Sequence, residues 1–320
     1  MLTLPVTYSV TCSHALLLDV IPQFQIDKAV HCEFWCQGLN DTYKVKTELD
    51  TFILRIYRYG WRDLASINFE IQALLHLQEN GADIAYPIAT KKGDYIVPLN
   101  APEGLRYIIL TRYIAGNELD FSIPNNSALY AQHLAQIHFC SEQLKTSKQR
   151  FQLDVKHLIS EPLARIKPFL IDRQDDWLFI KNTADKLAIT LQKALDESQD
   201  IGFCHADMHG GNAHYDGTSL VSFDFDCCAI GLRVYDLAVF KWSLKSQGKE
   251  EAIWQRFLHA YQQQRPLAGD DIMLIDSLVS IRHLWLIGLH IDIAVAKGWL
   301  DDNYFDQKIA FLKENKNLGK

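Results

Sequence analysis

The segment FCHADMHGGNAHYDGTSLVSFDFDCC, residues 203–228, constrains this chain more than any other: three histidines and four aspartates stand among short apolar runs. A buried carboxylate costs several kcal/mol unless it is paired or bound to a cation. Such a cluster therefore requires a compensating cation or a solvated cleft. Asp216-Gly217 is a hairpin turn signal between the short strands NAHY and SLVSFD. That placement sets Asp207, Asn212 and Asp224 at loops and strand ends, where polar groups can face a common cleft.

The bulk of the chain narrows the setting. With 320 residues, 48% of them hydrophobic and 22% charged, it is long enough for a large core divided in two, and it reads as globular and soluble. A net charge of -7 without a basic stripe argues against nucleic-acid binding. The most apolar stretch, 278–296, carries Arg282, His283, His290 and Asp292, so it is expected to be a buried helix and not a membrane span. No basic region precedes the first apolar residues, and no signal or transit peptide is expected. Seven cysteines at irregular spacing, two of them adjacent (Cys227, Cys228), do not suit a disulfide framework; a reducing cytoplasm fits. Cys32 and Cys36 are expected as core residues on one face of a strand.

The order of elements predicts an α+β protein. Residues 30–58 alternate and are rich in β-formers, a three-strand meander; 66–81 is a capped helix; two strands follow near 94–99 and 106–113. Past IAGNEL (114–119) the chain scans at helical period, with helices expected around 126–145, 176–198, 233–246, 250–264 and 271–297. A boundary near 115 divides an N-terminal lobe, 1–115, from a helical lobe, 116–320.

His205-x-Asp207 followed by four residues and Asn212 has the offsets of the H-R-D-x-x-x-x-N catalytic loop of protein kinases, and a later aspartate, Asp224, stands at a strand end. Oxygen-only ligands suit magnesium. Together with GLNDTYKV (38–45), FILRIYR (52–58), YIILTRYIAG (107–116), LAQIH (134–138) and SFDFDCCAIGLRVYDLA (222–238), this ordered run resembles the aminoglycoside phosphotransferase family of kinase-like small-molecule kinases, which includes type II homoserine kinases and choline kinases.

The resemblance implies a bilobal protein-kinase-like fold and ATP- and magnesium-dependent transfer of the γ-phosphate to a hydroxyl of a small metabolite, in a cleft between the lobes. It implies that Asp207 is the catalytic base and that Asn212 and Asp224 hold magnesium. Gly38, Asn40 and Thr42 would form the loop over the phosphates, Arg55 would contact the phosphates and pair with Glu70, and Thr111 and Tyr113 would meet adenine. Arg55 departs from the lysine of many members, and a forked guanidinium is not a point charge. Asp236 would accept hydrogen bonds from the catalytic loop, and His205 would orient it. Asp226 would assist metal or substrate binding, and Arg282, Trp285 and His290 would line the acceptor pocket. GLNDTYKV and FILRIYR are nearest the homoserine kinase branch, so an amino-alcohol or amino-acid hydroxyl is the preferred acceptor.

Other readings stand beside these. Asp207, Asn212 and Asp224 also suit turn and cap positions, Arg55 and Glu70 a surface ion pair, and Arg282, Trp285 and His290 a core helix. The replacement of lysine by Arg55 suggests a pseudokinase-like nucleotide-binding module. The alternation His205-x-Asp207-x-His209 suggests a metal-dependent hydrolase, although His209 also fits a loop near phosphates and His214 a hairpin surface. The charged C-terminal run LKENKNLGK (312–320) reads as a solvated tail.

Overall fold

Period-two alternation builds the first half of the molecule. In strand β3 (Thr51–Ile56), Phe52, Leu54 and Ile56 are buried, while Thr51, Ile53 and Arg55 face the other way. A slip of one residue would drive Arg55 into the apolar layer, so the register is strongly specified. The computed structural model, which describes residues 4–145 and 149–315, shows β3 within an antiparallel five-stranded sheet. Its other strands are β1 (His31–Gln37), β2 (Asp41–Lys46), β4 (Val97–Ala101) and β5 (Gly104–Arg112), in the order β1-β2-β3-β5-β4. On one face Tyr43, Val45, Leu54, Ile56, Ile108 and Leu110 form a core closed by Leu16, Ile21 and Phe24 from an N-terminal segment of short helical turns. On the other face Tyr57 and Ile109 pack against Ile67 and Ile71 of helix α1 (Leu64–Glu79), which is capped by Asp63.

Two compact units form. The first contains Met1–Asn117, Gln143–Arg150 and His214–Asp226, and the second contains Glu118–Glu142, Phe151–Ala213 and Cys227–Lys320. The second unit is mostly helical. Helix α2 (Pro124–Cys140) packs on α6 (Glu250–Gln264), and α5 (Val234–Ser246) packs on α7 (Gly269–Ala296). Helices α3 (Glu161–Ile166) and α4 (Gln174–Glu197) also lie on α7, and α8 (Asp302–Glu314) completes the set. Helix α7 is long and apolar enough to cross a membrane, but 78% of its most apolar window is buried inside the protein, as a core helix requires.

The α+β class is borne out, and so are the five long helices. Strands β6 (Ile201–Cys204) and β7 (Ala229–Leu232), which pair antiparallel on either side of the Asp-rich segment, were not expected, and neither were α3 and α8. Four-residue strands are too short to show a period, and their pairing is set by chain ends 25 or more positions apart. Two other expectations change. A register shift between Phe34 and Cys36 turns Cys36 to the face that carries Thr42 and Arg55, so it is exposed while Cys32 is buried. The run LKENKNLGK begins as the last turn of α8, with Leu312 and Asn315 buried, and its final five residues lie outside the described ones.

Helix α7 approaches α3 closely at Gly288, where a Cβ would come 2.5 Å from the Pro162 Cα. Gly288→Ala should therefore destabilise by about 1–3 kcal/mol, because backbone must shift. Gly269→Ala, with open space around the added methyl, should be close to neutral, and thermal unfolding of the two variants side by side checks this.

Candidate active site

The pocket of the first unit forms on the sheet face opposite the apolar core. Arg55, aimed there by strand alternation, is half-buried and forked: Nη1 donates to Glu70 Oε1 (2.8 Å) and Nη2 to Asp224 Oδ1 (3.0 Å). Glu70, fully buried on α1, also accepts from the Tyr57 hydroxyl (2.8 Å). The structure thus brings Arg55, Glu70 and Asp224 together beside a cavity lined also by Trp35, Thr42, Thr111, Ile114 and Phe223. The fork matters, because an ammonium at this position would lack the fixed spacing that reaches two carboxylates. The bulge places Cys36 in the same cavity.

Asp226 lies two residues beyond Asp224 and has a different environment. It is buried, and its carboxylate accepts from Trp61 Nε1 (2.6 Å), Arg62 Nε (3.0 Å) and Asn40 Nδ2 (3.0 Å), while Arg150 Nη2 bonds its carbonyl. Desolvation pushes its pKa up, but Arg62, Arg55 and Arg150 outweigh burial and hold the group at about 2, below the ordinary 3.8. Asp226 was expected to assist metal or substrate; its contacts are those of an anchor for the backbone around Asp224, a non-glycine residue with φ of +62°. Trp61, Arg62 and Arg150 were not anticipated. Arg150 lies 76 positions from Asp226 and no local pattern marks it.

The turn between β1 and β2 holds Gly38 and Asn40. The Gly38 amide donates to the Asn40 carbonyl (3.0 Å), and the Asn40 side chain accepts from the Arg58 amide (3.1 Å) as well as bonding Asp226. At the far end of β5, the Tyr113 amide, expected to meet adenine, donates to the Thr51 carbonyl (3.2 Å), and Thr111 stands opposite Ile53 in the β3–β5 ladder. Ile114 follows the ladder and lines the cavity, its carbonyl bonded by His214 Nδ1 (3.1 Å). His214, expected on the hairpin surface, is half-buried in this wall with its ring edge-on to Phe223 at 4.7 Å.

In the second unit the loop after β6 is held by a buried carboxylate. Asp236 accepts from the amides of His205 (2.8 Å) and Ala206 (2.6 Å) and from His138 Nε2 (3.0 Å), and His138 Nδ1 meets the Tyr261 hydroxyl at 2.7 Å. Burial pushes the His138 pKa down against the opposing pull of Asp236. The His205 ring is buried, and its Nδ1 accepts from the Asp207 amide (3.3 Å), which suits an orienting residue. His209 caps the next turn by accepting from the Gly211 amide (3.1 Å), and its carbonyl accepts from the Tyr130 hydroxyl (2.7 Å).

Asp207 and Asn212 come together on this loop. Asn212 Nδ2 donates to the Asp207 carbonyl (2.8 Å) and to its Oδ2 (3.3 Å). Because the amide nitrogen is committed, the side-chain oxygen of Asn212 is its edge for a ligand. An amide oxygen is a hard donor of the kind a magnesium ion takes. Among the described residues no group of three or more His, Cys, Asp or Glu could hold a metal ion, so the histidine cluster of the hydrolase reading does not assemble there. Arg282 pairs with Asp207 Oδ1, and Trp285, also buried, lies under that guanidinium at 4.7 Å.

This fold and this loop define a kinase-like phosphotransferase. Residues 37–270 match the phosphotransferase enzyme family, and the chain belongs to that family as a small-molecule kinase. An uncharacterised protein of Deinococcus radiodurans is 35% identical over 87% of this chain and 82% of its own. The structure of the amicoumacin kinase hAmiN in complex with AMP-PNP, Ca2+ and Ami superposes with a TM-score of 0.74 at 20% identity, covering 95% of this chain and 91% of that one. A microcompartment-associated aminopropanol kinase gives 0.72 at 17% identity, covering 95% and 94%.

The anchor at Asp226 makes a pH prediction. Its folded pKa lies below the unfolded one, so the ionised group stabilises the protein above pH 3.8, and this contribution, about 2 kcal/mol, is lost as pH falls toward 2. Thermal unfolding should show the melting temperature dropping through that window, and Asp226→Asn should flatten the drop while lowering stability at neutral pH.

Proposed function

We propose that this chain transfers the γ-phosphoryl group of ATP to a hydroxyl of a small amino alcohol or hydroxy amino acid, with magnesium held by Asn212 and Asp224. The observation that carries the reading is the fixed Asp207 carboxylate, with its carbonyl and Oδ2 tied to Asn212 and its side chain still 22% exposed. In this reading Asp207 Oδ2 accepts the acceptor's hydroxyl hydrogen bond. The new bond forms between that hydroxyl oxygen and γ-phosphorus, the bond from γ-phosphorus to the bridging oxygen breaks, ADP leaves, and the proton passes through Asp207 to solvent. Phosphoryl transfer has a loose transition state, so orienting the hydroxyl matters more than strong basicity. When bound, magnesium would neutralise charge on the phosphates. Arg55, supported by Glu70 and Tyr57, would turn its fork toward phosphate oxygens. Thr111, Tyr113 and Ile114 line the cavity and would flank the base, the Tyr113 amide being held by the sheet. The aminopropanol kinase among the structural neighbours supports an amino-alcohol acceptor.

The test is magnesium-dependent ADP release with ethanolamine, 1-amino-2-propanol, serine and homoserine offered separately. Asp207→Ala should lower kcat by about 100-fold or more with nucleotide affinity retained, and Asp224→Ala should also weaken magnesium-nucleotide binding, by about 10-fold or more. Nucleotide binding without transfer to any hydroxyl would leave a binding module, and full activity in Asp207→Ala would remove the assigned base.

A further inference from the structure

Arg282 was expected to touch the acceptor, and its surroundings do not suit that. It is 3% exposed in the middle of α7. One arm, Nη1, donates to the Ala206 carbonyl (3.1 Å), and the other, Nη2, pairs with Asp207 Oδ1. Its guanidinium lies 4.7 Å from the Trp285 ring centre and 5.8 Å from that of Trp242, and the Trp242 indole donates to His283 (3.1 Å) on the same helix as Arg282. A planar fork with both ends bonded and one face on an indole has no freedom to swing toward a ligand.

Ala206 explains what the fork holds. Its φ of +63° is a left-handed conformation that alanine rarely adopts, and it turns the chain so that Asp207 projects from the loop. The Ala206 peptide is gripped at both polar ends, with its amide bonded to Asp236 Oδ1 (2.6 Å) and its carbonyl to Arg282. The same arginine then takes one oxygen of the next residue's carboxylate. Carbonyl and carboxylate are therefore locked at the spacing of one guanidinium, and Oδ2 remains the oxygen that Arg282 does not hold.

We propose that Arg282 is a positioning residue for Asp207: it holds the strained Ala206 turn and fixes the rotamer of the carboxylate, so that Oδ2 alone is presented to the acceptor hydroxyl. This deepens the phosphotransferase reading and rests on it. With one carboxylate oxygen held by Arg282 and the other near Asn212, orientation is the service Asp207 performs. Misplacing a reacting group by about 1 Å can cost about 100-fold in rate, and the loss appears in kcat because the contact is not to substrate.

The experiment compares wild type, Arg282→Lys, Arg282→Ala and Asp207→Asn. Turnover of Mg-ATP is followed with the best acceptor among ethanolamine, 1-amino-2-propanol, serine and homoserine, and with water alone; Mg-ADP affinity and melting temperature are measured in parallel. Arg282→Ala is expected to lose about 100-fold in kcat, with acceptor KM and Mg-ADP affinity within about 3-fold of wild type. Arg282→Lys, which keeps the charge without the fork, is expected to fall between. Added guanidinium at non-denaturing concentration should restore part of the Arg282→Ala rate, which a purely structural role would not allow. A raised acceptor KM with unchanged kcat would make Arg282 a substrate contact and overturn the proposal. Wild-type kcat in the folded Arg282→Lys variant together with an inactive Asp207→Asn would overturn it while leaving the phosphotransferase reading intact; an active Asp207→Asn would overturn both. If Arg282→Ala fails to fold, the kcat of Arg282→Lys decides alone.

Discussion

The buried carboxylate of Asp236 is the interaction on which the loop at 205–212 depends. It has no exposure to water, and it is tolerable there because the amides of His205 and Ala206 and the ring of His138 all bond to it. Those bonds secure the loop from below. They make the left-handed turn at Ala206 sustainable, and that turn sends the Asp207 carboxylate out of the core with Asn212 bonded to it. The Tyr261 hydroxyl extends the same chain through His138, so α2, α5 and α6 all contribute to the position of one loop. A buried network of this kind is stabilising only when each member is satisfied.

In the first unit the corresponding constraint is the strand register. Alternation along β3 sends Leu54 and Ile56 into the apolar layer, and Arg55 emerges on the opposite face, where Glu70 of α1 meets it. Asp224 receives the second arm of the same guanidinium, while Asp226, two residues on, is held by Trp61, Arg62 and Asn40. Two aspartates separated by one phenylalanine thus have opposite surroundings: Asp224 is half-exposed beside the cavity and Asp226 is sealed among cations.

Much of this is legible in the sequence. The helices at 126–145, 176–198, 233–246, 250–264 and 271–297 announce themselves by period, and the ordered run that includes His205, Asp207, Asn212 and Asp224 announces the phosphotransferase family. What was hidden depends on contacts remote in sequence or on single-residue irregularities. The bulge that flips Cys36 inserts no visible signal into an alternating run. The hairpin at 214–226 belongs to the first unit because the Ser222 carbonyl accepts from the Ala85 amide (2.8 Å) and its amide donates to the Asp83 carbonyl (3.1 Å), a pairing of backbone groups to which side-chain identity contributes little. Tyr113 looked like a partner for adenine because a hinge follows β5, but the ladder runs one residue farther than the apolar pattern implies and takes its amide.

Sequence alone determined the order and spacing of the polar residues that mark the family, because offsets such as His205-x-Asp207 and the glycine seven residues after Asp224 are properties of a linear chain. Tertiary structure alone decided what each of those groups touches. Asp226 and Asp224 are the same residue in nearly the same local text, yet cations from positions 62 and 150 seal one as an anchor, while the other pairs with Arg55 beside the cavity. Arg282 and Trp285 are helical residues whose meaning came only from the loop packed against them. The physical reason is that pattern encodes local conformation, whereas desolvation and charge pairing depend on every group that folding brings within a few ångströms, whatever its distance along the chain.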